Sequence, residues 1–268
     1  MRELRACLDL QRAVWGFSET DIVPASQLRT ASMNGGAVIG AIHDHKLVGF
    51  VWSHGGVEHG RAYLHSRMLG VLPAYRGLGI GRRLKLLQRK AALDEGVDRI
   101  QWTFDPLERG NAHLNLRTLG AVARVYHPDF YGPSEAKLHA GLPTDRLVAD
   151  WRLRSTRAAA AARRSPPRVH RGPLEDEVVT RTEGSGRTLA LEAVRLDADA
   201  PSILVEAPPD AQRLKHADAK RALAWRLGLR EVFLSYFARG YEARDLLLLP
   251  ARGGISRGYY RLVRSRGR

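Results

Sequence analysis

Apolar positions recur along this chain at two different spacings, and the switches between them mark its elements. Leu4, Cys7/Leu8, Gln11 and Val14/Trp15 return every three to four residues, which predicts a helix over 3–16. Residues 17–35 mix polar and apolar side chains, carry Pro24 and end in Asn34-Gly35-Gly36, so they predict loop and a second short helix. Ala37 to Ile42 and Leu47 to Trp52 are short apolar runs joined by His43-Asp44-His45-Lys46, the pattern of a hairpin. The two turn histidines have no third ligand nearby in sequence and read as solvated turn residues. A further strand is predicted over 63–72. The spacing then turns helical again, with Ile80, Leu84, Leu87 and Ala91 on one face until Glu95-Gly96, where the glycine suits a helix end. Arg99 to Asp105 alternates as a strand closed by Pro106, and Asn111 to Leu119 reads as a short helix stopped by Gly120.

From Arg152 to Arg171 the pattern fades into seven arginines, no acid, five consecutive alanines and Pro166-Pro167, a linker by composition with room for a short helix over the alanines. Beyond it, 188–195 and 203–206 predict strands, 211–239 one or two helices, and 241–249 and 258–263 two more strands. The expected organisation is a first domain over 1–151, a linker over 152–174, and a C-terminal α+β region over 175–268 packed on the first domain. Cys7 cannot form an internal disulfide and fits a small core position.

Chemistry concentrates between Leu69 and Gly81, in L-G-V-L-P-A-Y-R-G-L-G-I-G. Glycines at 77, 79 and 81 clear side chains from a strand-to-helix turn, so backbone N–H groups and the helix N-terminus can face an anion such as a pyrophosphate. A P-loop would end in Gly-Lys-Ser/Thr, but Gly81 is followed by Arg82-Arg83. Arg76-Gly77-Leu78-Gly79-Ile80-Gly81, preceded by Val71-Leu72-Pro73, resembles the acyl-CoA signature of the GNAT N-acyltransferases. The wider pattern, with His65-Ser66, Thr103 to Glu108 and Gly141 to Arg146, resembles a bacterial subfamily of predicted acyltransferases with an added C-terminal region.

That resemblance implies an α+β GNAT fold, a central mixed and mostly antiparallel sheet flanked by helices, with acetyl-CoA or another acyl-CoA as co-substrate and no metal. It implies that Leu69 and Val71 meet the thioester and pantetheine arm through their backbone. Arg76, Gly77, Leu78, Gly79, Ile80, Gly81 and Arg82 would hold the pyrophosphate, and Asn111 would contact CoA or cap its helix. Two departures stand out: the given sequence starts almost inside the first helix, so the strand that precedes it in the family is either missing from this start or has its place filled otherwise, and the run from Asn111 to Gly120 lacks the tyrosine that protonates the leaving thiolate. Tyr126 is therefore the nominated acid, with Tyr131 behind it, and Arg67 stands where such relatives carry a histidine. His65, Glu108 and His113 are the nominated bases.

The expected reaction is acetyl transfer to a primary amine of a small molecule such as an amino acid, whose carboxylate Arg61, Arg67, Arg117 or Arg124 would grip. The net charge of +15 invites a nucleic-acid reading. Six of the 43 basic residues are lysine and the rest arginine spread over both halves, so composition fits a coding bias as well as a binding face. The alternatives are a catalytically inactive CoA-binding scaffold and, less favoured, an arginine-rich nucleic-acid binder. No apolar run of about 20 residues and no signal-like start is present, so no membrane partner and a cytoplasmic location are expected, with a homodimer left open.

Overall fold

The computed structural model describes residues 1–132, 141–164, 169–172, 174–250 and 256–265. In chain order its elements begin α1 (Arg2–Trp15), α2 (Ala25–Met33), β1 (Ala37–His43), β2 (Lys46–Glu58), β3 (Arg61–Val71), α3 (Ile80–Asp94) and β4 (Arg99–Phe104). Next come α4 (Arg109–Ala112), β5 (Val122–His127), β6 (Arg146–Arg152), α5 (Thr156–Arg163), β7 (Glu177–Val178), β8 (Thr180–Glu183) and β9 (Ala190–Val194). The chain finishes with β10 (Ser202–Ala207), α6 (Ala211–Ala217), α7 (Ala219–Ala238), β11 (Tyr241–Leu249) and β12 (Arg257–Arg264). The class is α+β, with strand pairing that is mixed and mostly antiparallel. The chain forms two compact units, one of residues 1–102 with 150–162, the other of 103–132, 141–149 and the described chain from 163 onward.

In the first unit β2 lies between β1 and β3, antiparallel to both. Asp44 and His45 both take positive φ (45° and 60°), the geometry of a two-residue type I′ hairpin turn, so His45 serves backbone shape while His43 closes β1. α1 and α2 bury Cys7, Leu10 and Leu28 against Phe50, Trp52 and Met68. Buried Gln11 ties the following loop to α1, donating to the Val23 carbonyl at 3.1 Å and accepting from the Val23 N–H at 2.8 Å. α3 packs against β1, β2 and β3.

β3 carries the feature that matters most for the site. Trp52 pairs with Met68 while Ser53 pairs with Ser66, so Arg67 is an extra residue, a β-bulge. On its other edge β3 runs parallel to β4 for two pairs only, Leu64↔Ile100 and His65↔Gln101. The parallel ladder thus ends two residues before the bulge, and the strand's edge from Ser66 to Val71 has no β4 pair.

In the second unit the strand order is β5-β11-β12-β10-β7, with β8 and β9 as a separate hairpin. α7 lies against β5, β9, β10 and β11. Its Phe233 stacks on Tyr126 (5.7 Å between ring centroids) and meets Tyr260 edge-on at 5.1 Å. Asp210 and Asp218 cap α6 and α7 by accepting from the N–H groups of Arg213 and Arg221. The helix expected over 111–119 begins earlier, at Arg109, and continues as a π-helical stretch over His113–Thr118. β5 to β8 lie outside the expected strands; β7 and β8, two and four residues long, are too short for a periodic signal. Of the expected linker, Thr156–Arg163 is α5, while Pro166-Pro167 lies outside the described residues.

Candidate functional site

The glycine turn has the backbone that the sequence requires of it. Gly77 and Gly79 sit at φ 80° and 76°, which strains any L side chain, and no heavy atom lies within 4 Å of where a Cβ would stand on either. Gly79 is the N-cap of α3 and offers no side-chain cap, and the helix's first turn holds no acid. Its leading N–H groups and positive dipole end therefore face outward beside Arg82 and Arg83, a fit for a diphosphate.

The arginines of the turn are partly committed. Arg76 Nε donates to the Val71 carbonyl at 3.1 Å, tying the turn to the end of β3, and Arg83 Nη2 donates to the Leu78 carbonyl at 3.1 Å. Arg82, expected among the acyl-CoA contacts, points elsewhere. Its Nη2 donates to the carbonyls of Ala161 and Ala162, at 2.8 and 3.2 Å, near the C-terminus of α5.

His65 leaves β3 at the last residue paired with β4. Its ring stacks on His54 at 5.2 Å, and burial, then the charges of His54, Arg67 and Lys85, hold its pKa down at about 4. It is therefore neutral near pH 7, able to accept a hydrogen bond but weak as a direct base. On the neighbouring helix Lys85 is 2% exposed and has no carboxylate partner among the described residues. Its Nζ donates to Ser66 Oγ at 3.1 Å and Gln88 Oε1 at 2.8 Å, and lies 3.7 Å from the centroid of the Trp102 ring. Burial pushes its pKa well below the ordinary lysine value.

The other nominated residues belong to the second unit. Tyr126, nominated as the acid, is held for structure instead: its hydroxyl donates to Asp145 Oδ2 at 2.6 Å, and burial followed by that hydrogen bond pushes its pKa far up. Arg230 grips the same carboxylate with two bonds, at 2.9 and 2.7 Å. Tyr131 is half exposed and lies under the Arg146 guanidinium. Glu108 accepts from Gln212 Nε2 at 2.5 Å and Lys215 Nζ at 3.4 Å, and burial with Asp105 nearby raises its pKa. Asp105 takes a bidentate bond from Arg226, both arms at 2.8 Å, and a third from Lys215 at 3.1 Å. Burial raises the Asp105 pKa, but those cations outweigh it and hold the carboxyl well below its usual range. Asn111 is exposed in the third position of α4, so it is not the cap; Glu108 holds that position. His113 Nδ1 lies 3.4 Å from Thr118 Oγ1. Arg117 and Arg124, expected to grip a substrate carboxylate, are paired with Asp245 and Glu242.

Residues 4–120 match the Acetyltransferase (GNAT) family. The chain carries a GNAT-family acetyltransferase domain. Solved structures similar to it include the ribosomal-protein-S18-alanine N-acetyltransferase of Escherichia coli, at 13% identity, covering 56% of this chain and 87% of that one with a TM-score of 0.45. Naa50 of Arabidopsis thaliana, in complex with the bisubstrate analogue CoA-Ac-MVNAL, is 18% identical over 56% of this chain and 91% of its own, with a TM-score of 0.41. A putative acetyltransferase of the GNAT family from Desulfovibrio desulfuricans is 13% identical over 57% and 93%, with a TM-score of 0.45. The curated proteins contain no match.

The turn from β3 to α3 is legible in the sequence because three alternate glycines stand directly before a helical repeat. Lys85 escapes the same reading. A signal exists: Leu84, Gln88 and Ala92 share its inward stripe, and a lysine on such a stripe without an acid nearby is unusual. No helix among the described residues is long and apolar enough to cross a membrane.

Proposed function

We propose that the chain transfers an acyl group, acetyl in the simplest case, from acyl-CoA to the primary amine of a small molecule bearing a carboxylate, such as an amino acid. The observation that carries this reading is the turn at 76–81 opening α3 through an uncapped N-terminus, next to a β3 edge that leaves its parallel partner at a bulge. The turn would hold the CoA diphosphate on N–H groups and helix dipole. The exposed β3 edge near Leu69 and Val71 would receive the pantetheine amide and polarise the thioester carbonyl.

The incoming amine must be neutral. An α-amine with a pKa near 8 is about a tenth neutral at pH 7, whereas a lysine-like amine needs about 4.6 kcal/mol to lose its proton. This favours an α-amine acceptor for a site whose strand histidine has its pKa lowered to about 4. His65 would act by ordering a water that carries the proton away rather than by taking it directly. Arg61 and Arg67 are exposed on β3 and are the arginines left for a substrate carboxylate.

Initial rates on amino acids, their amides and polyamines test the acceptor. A charged hydrogen bond to the carboxylate contributes about 1.5–3 kcal/mol, so the amides should lose about ten- to a hundredfold in kcat/KM. Equal or faster turnover of amides or polyamines would sink the carboxylate reading, and the absence of thiol release with any amine would sink transfer itself.

A further inference from the structure

α7 carries apolar side chains on every side, and one of those sides faces solvent. Ala222, Trp225, Leu229, Val232, Phe233 and Tyr236 are buried beneath the helix. On the opposite side Lys220, Ala224, Leu227, Glu231, Leu234 and Ala238 are all exposed, Leu227 at 45% and Leu234 at 42%. A helix on the surface of a domain ordinarily turns polar residues outward, and one that stays apolar all round is normally covered on both sides. The spacing of the exposed set says what kind of element would cover it. Its members follow one another at intervals of four, three, four, three and four residues, the heptad alternation by which one helix packs on another. Leu227 and Leu234 fall on one of the two alternating positions and Ala224 and Ala238 on the other, so each alanine leaves room for a leucine that faces it. The two charged members, Lys220 and Glu231, have no ion pair among the described residues. They stand 11 residues apart in the helix, about 16 Å along its axis, and cannot reach each other within one chain.

We propose that this seam is the interface of a homodimer, in which α7 of one chain lies antiparallel on α7 of a second copy across a two-fold axis. Such an axis demands that every contact occur twice, with the roles of the two chains exchanged. Setting Leu227 against the partner's Ala224 meets that demand, because Ala224 then meets the partner's Leu227. Seven residues outward from that central pair, the same register brings Lys220 opposite the partner's Glu231 and Glu231 opposite the partner's Lys220. Two leucine-on-alanine contacts are thus flanked by two ion pairs, and both seam charges that lack a partner in their own chain find one. Leu223, 38% exposed, borders the seam and widens the apolar area covered. A parallel pairing in register would set each charge against its own copy, and like charges in contact oppose association. The occupant is therefore a second copy in the antiparallel sense, since the pattern is complementary to itself only when its direction is reversed. Arg226 and Arg230 keep their bonds to Asp105 and Asp145 within the chain, so association asks nothing of those pairs.

Sedimentation equilibrium of the full chain over a wide range of concentration tests this, a single chain being 29.8 kDa. The wild type should approach twice that mass, and its melting temperature should rise with concentration. Lys220→Glu and Glu231→Lys each place like charges opposite one another twice per dimer, and each should weaken association by about tenfold or more. The double variant Lys220→Glu/Glu231→Lys restores both pairs in the reversed sense and should dimerise as the wild type does. That rescue is specific to the antiparallel register, because the two residues are out of each other's reach in one chain. Leu227→Asp should leave a monomer with native circular dichroism; if it does not fold, the charge variants, which remove no apolar contact, decide. A monomer at every concentration, single charge variants that dimerise undiminished, or a double variant no better than the singles would each overturn the interface. A mass beyond two chains would overturn it as well, since a two-fold contact closes at two. The measured mass is independent of whether the chain transfers an acyl group, so this interface and the proposed reaction stand or fall separately.

Discussion

At the scale of single residues, the backbone of Gly79 and the imidazole of His65 each set a measurable expectation. Gly79 holds φ 76° at the head of α3. A β-branched side chain there costs about 1–3 kcal/mol of backbone strain and projects into the space an acyl-CoA diphosphate would take. Gly79→Val should therefore lose acetyl-CoA affinity by more than tenfold in calorimetry while its circular dichroism stays native; unchanged affinity would refute the assignment of the turn. The histidine gives a pH dependence with a definite sign. Its folded pKa is lowered to about 4 from an ordinary value near 6.5, so as pH falls through that window the unfolded chain takes up a proton that the folded one refuses. Stability should decline between about pH 6.5 and 4, by on the order of 1–2 kcal/mol after allowing for the ring's partial exposure. Urea midpoints across this range should fall for the wild type and fall less for His65→Gln. The glycines can be read from sequence because their use is local. The environment of His65 cannot, because it depends on His54, Arg67 and Lys85 converging from separate positions.

At the scale of elements, the strands and helices are legible in α1, α3, β4, α7 and β11, whereas β5 and β6, of six and seven residues, escape the same reading. What sequence does not supply is which charges on one element meet which on another. Asp105 follows β4 and Arg226 lies on α7, 121 residues apart, yet they form a bidentate pair with Lys215 of α6 alongside. The side chains of Arg226 and Lys215 are 2% and 1% exposed, so deleting the carboxylate strands buried positive charge. Asp105→Asn should destabilise the second unit by about 3–5 kcal/mol, read from urea unfolding. A loss below about 1 kcal/mol would mean that the cations find water or Glu108 instead. Tyr126 teaches the same lesson from the other side: as a lone tyrosine in the sequence it passes for an acid, and only its bonds to Asp145 and its stacking on Phe233 reveal a core role.

At the scale of the whole molecule, residues 103–132 and 141–149 belong to the same compact unit as the chain from 163 onward. Asp105, Glu108 and Asp145 all take their cationic partners from α6 and α7. A chain cut after Arg164 would leave those carboxylates and the Tyr126 ring face without partners. It should lose its cooperative unfolding transition and much of its soluble yield; a truncated chain with a sharp, native-like melt would refute this dependence. The composition over 152–174 reads as a linker, yet it says nothing about which unit its flanks join, and Thr156–Arg163 within it is α5. The bulge at Arg67 has a hereditary consequence as well. Losing that single codon would bring the two flanking stretches of β3 into one unbroken alternation against β2, so that one of them must present its outward residues to the interior. The exposed turn at His59-Gly60 has no such constraint, with open space around Gly60. Descendants of this sequence should therefore vary in length at residue 60 and keep their count at residue 67, whatever amino acid stands there.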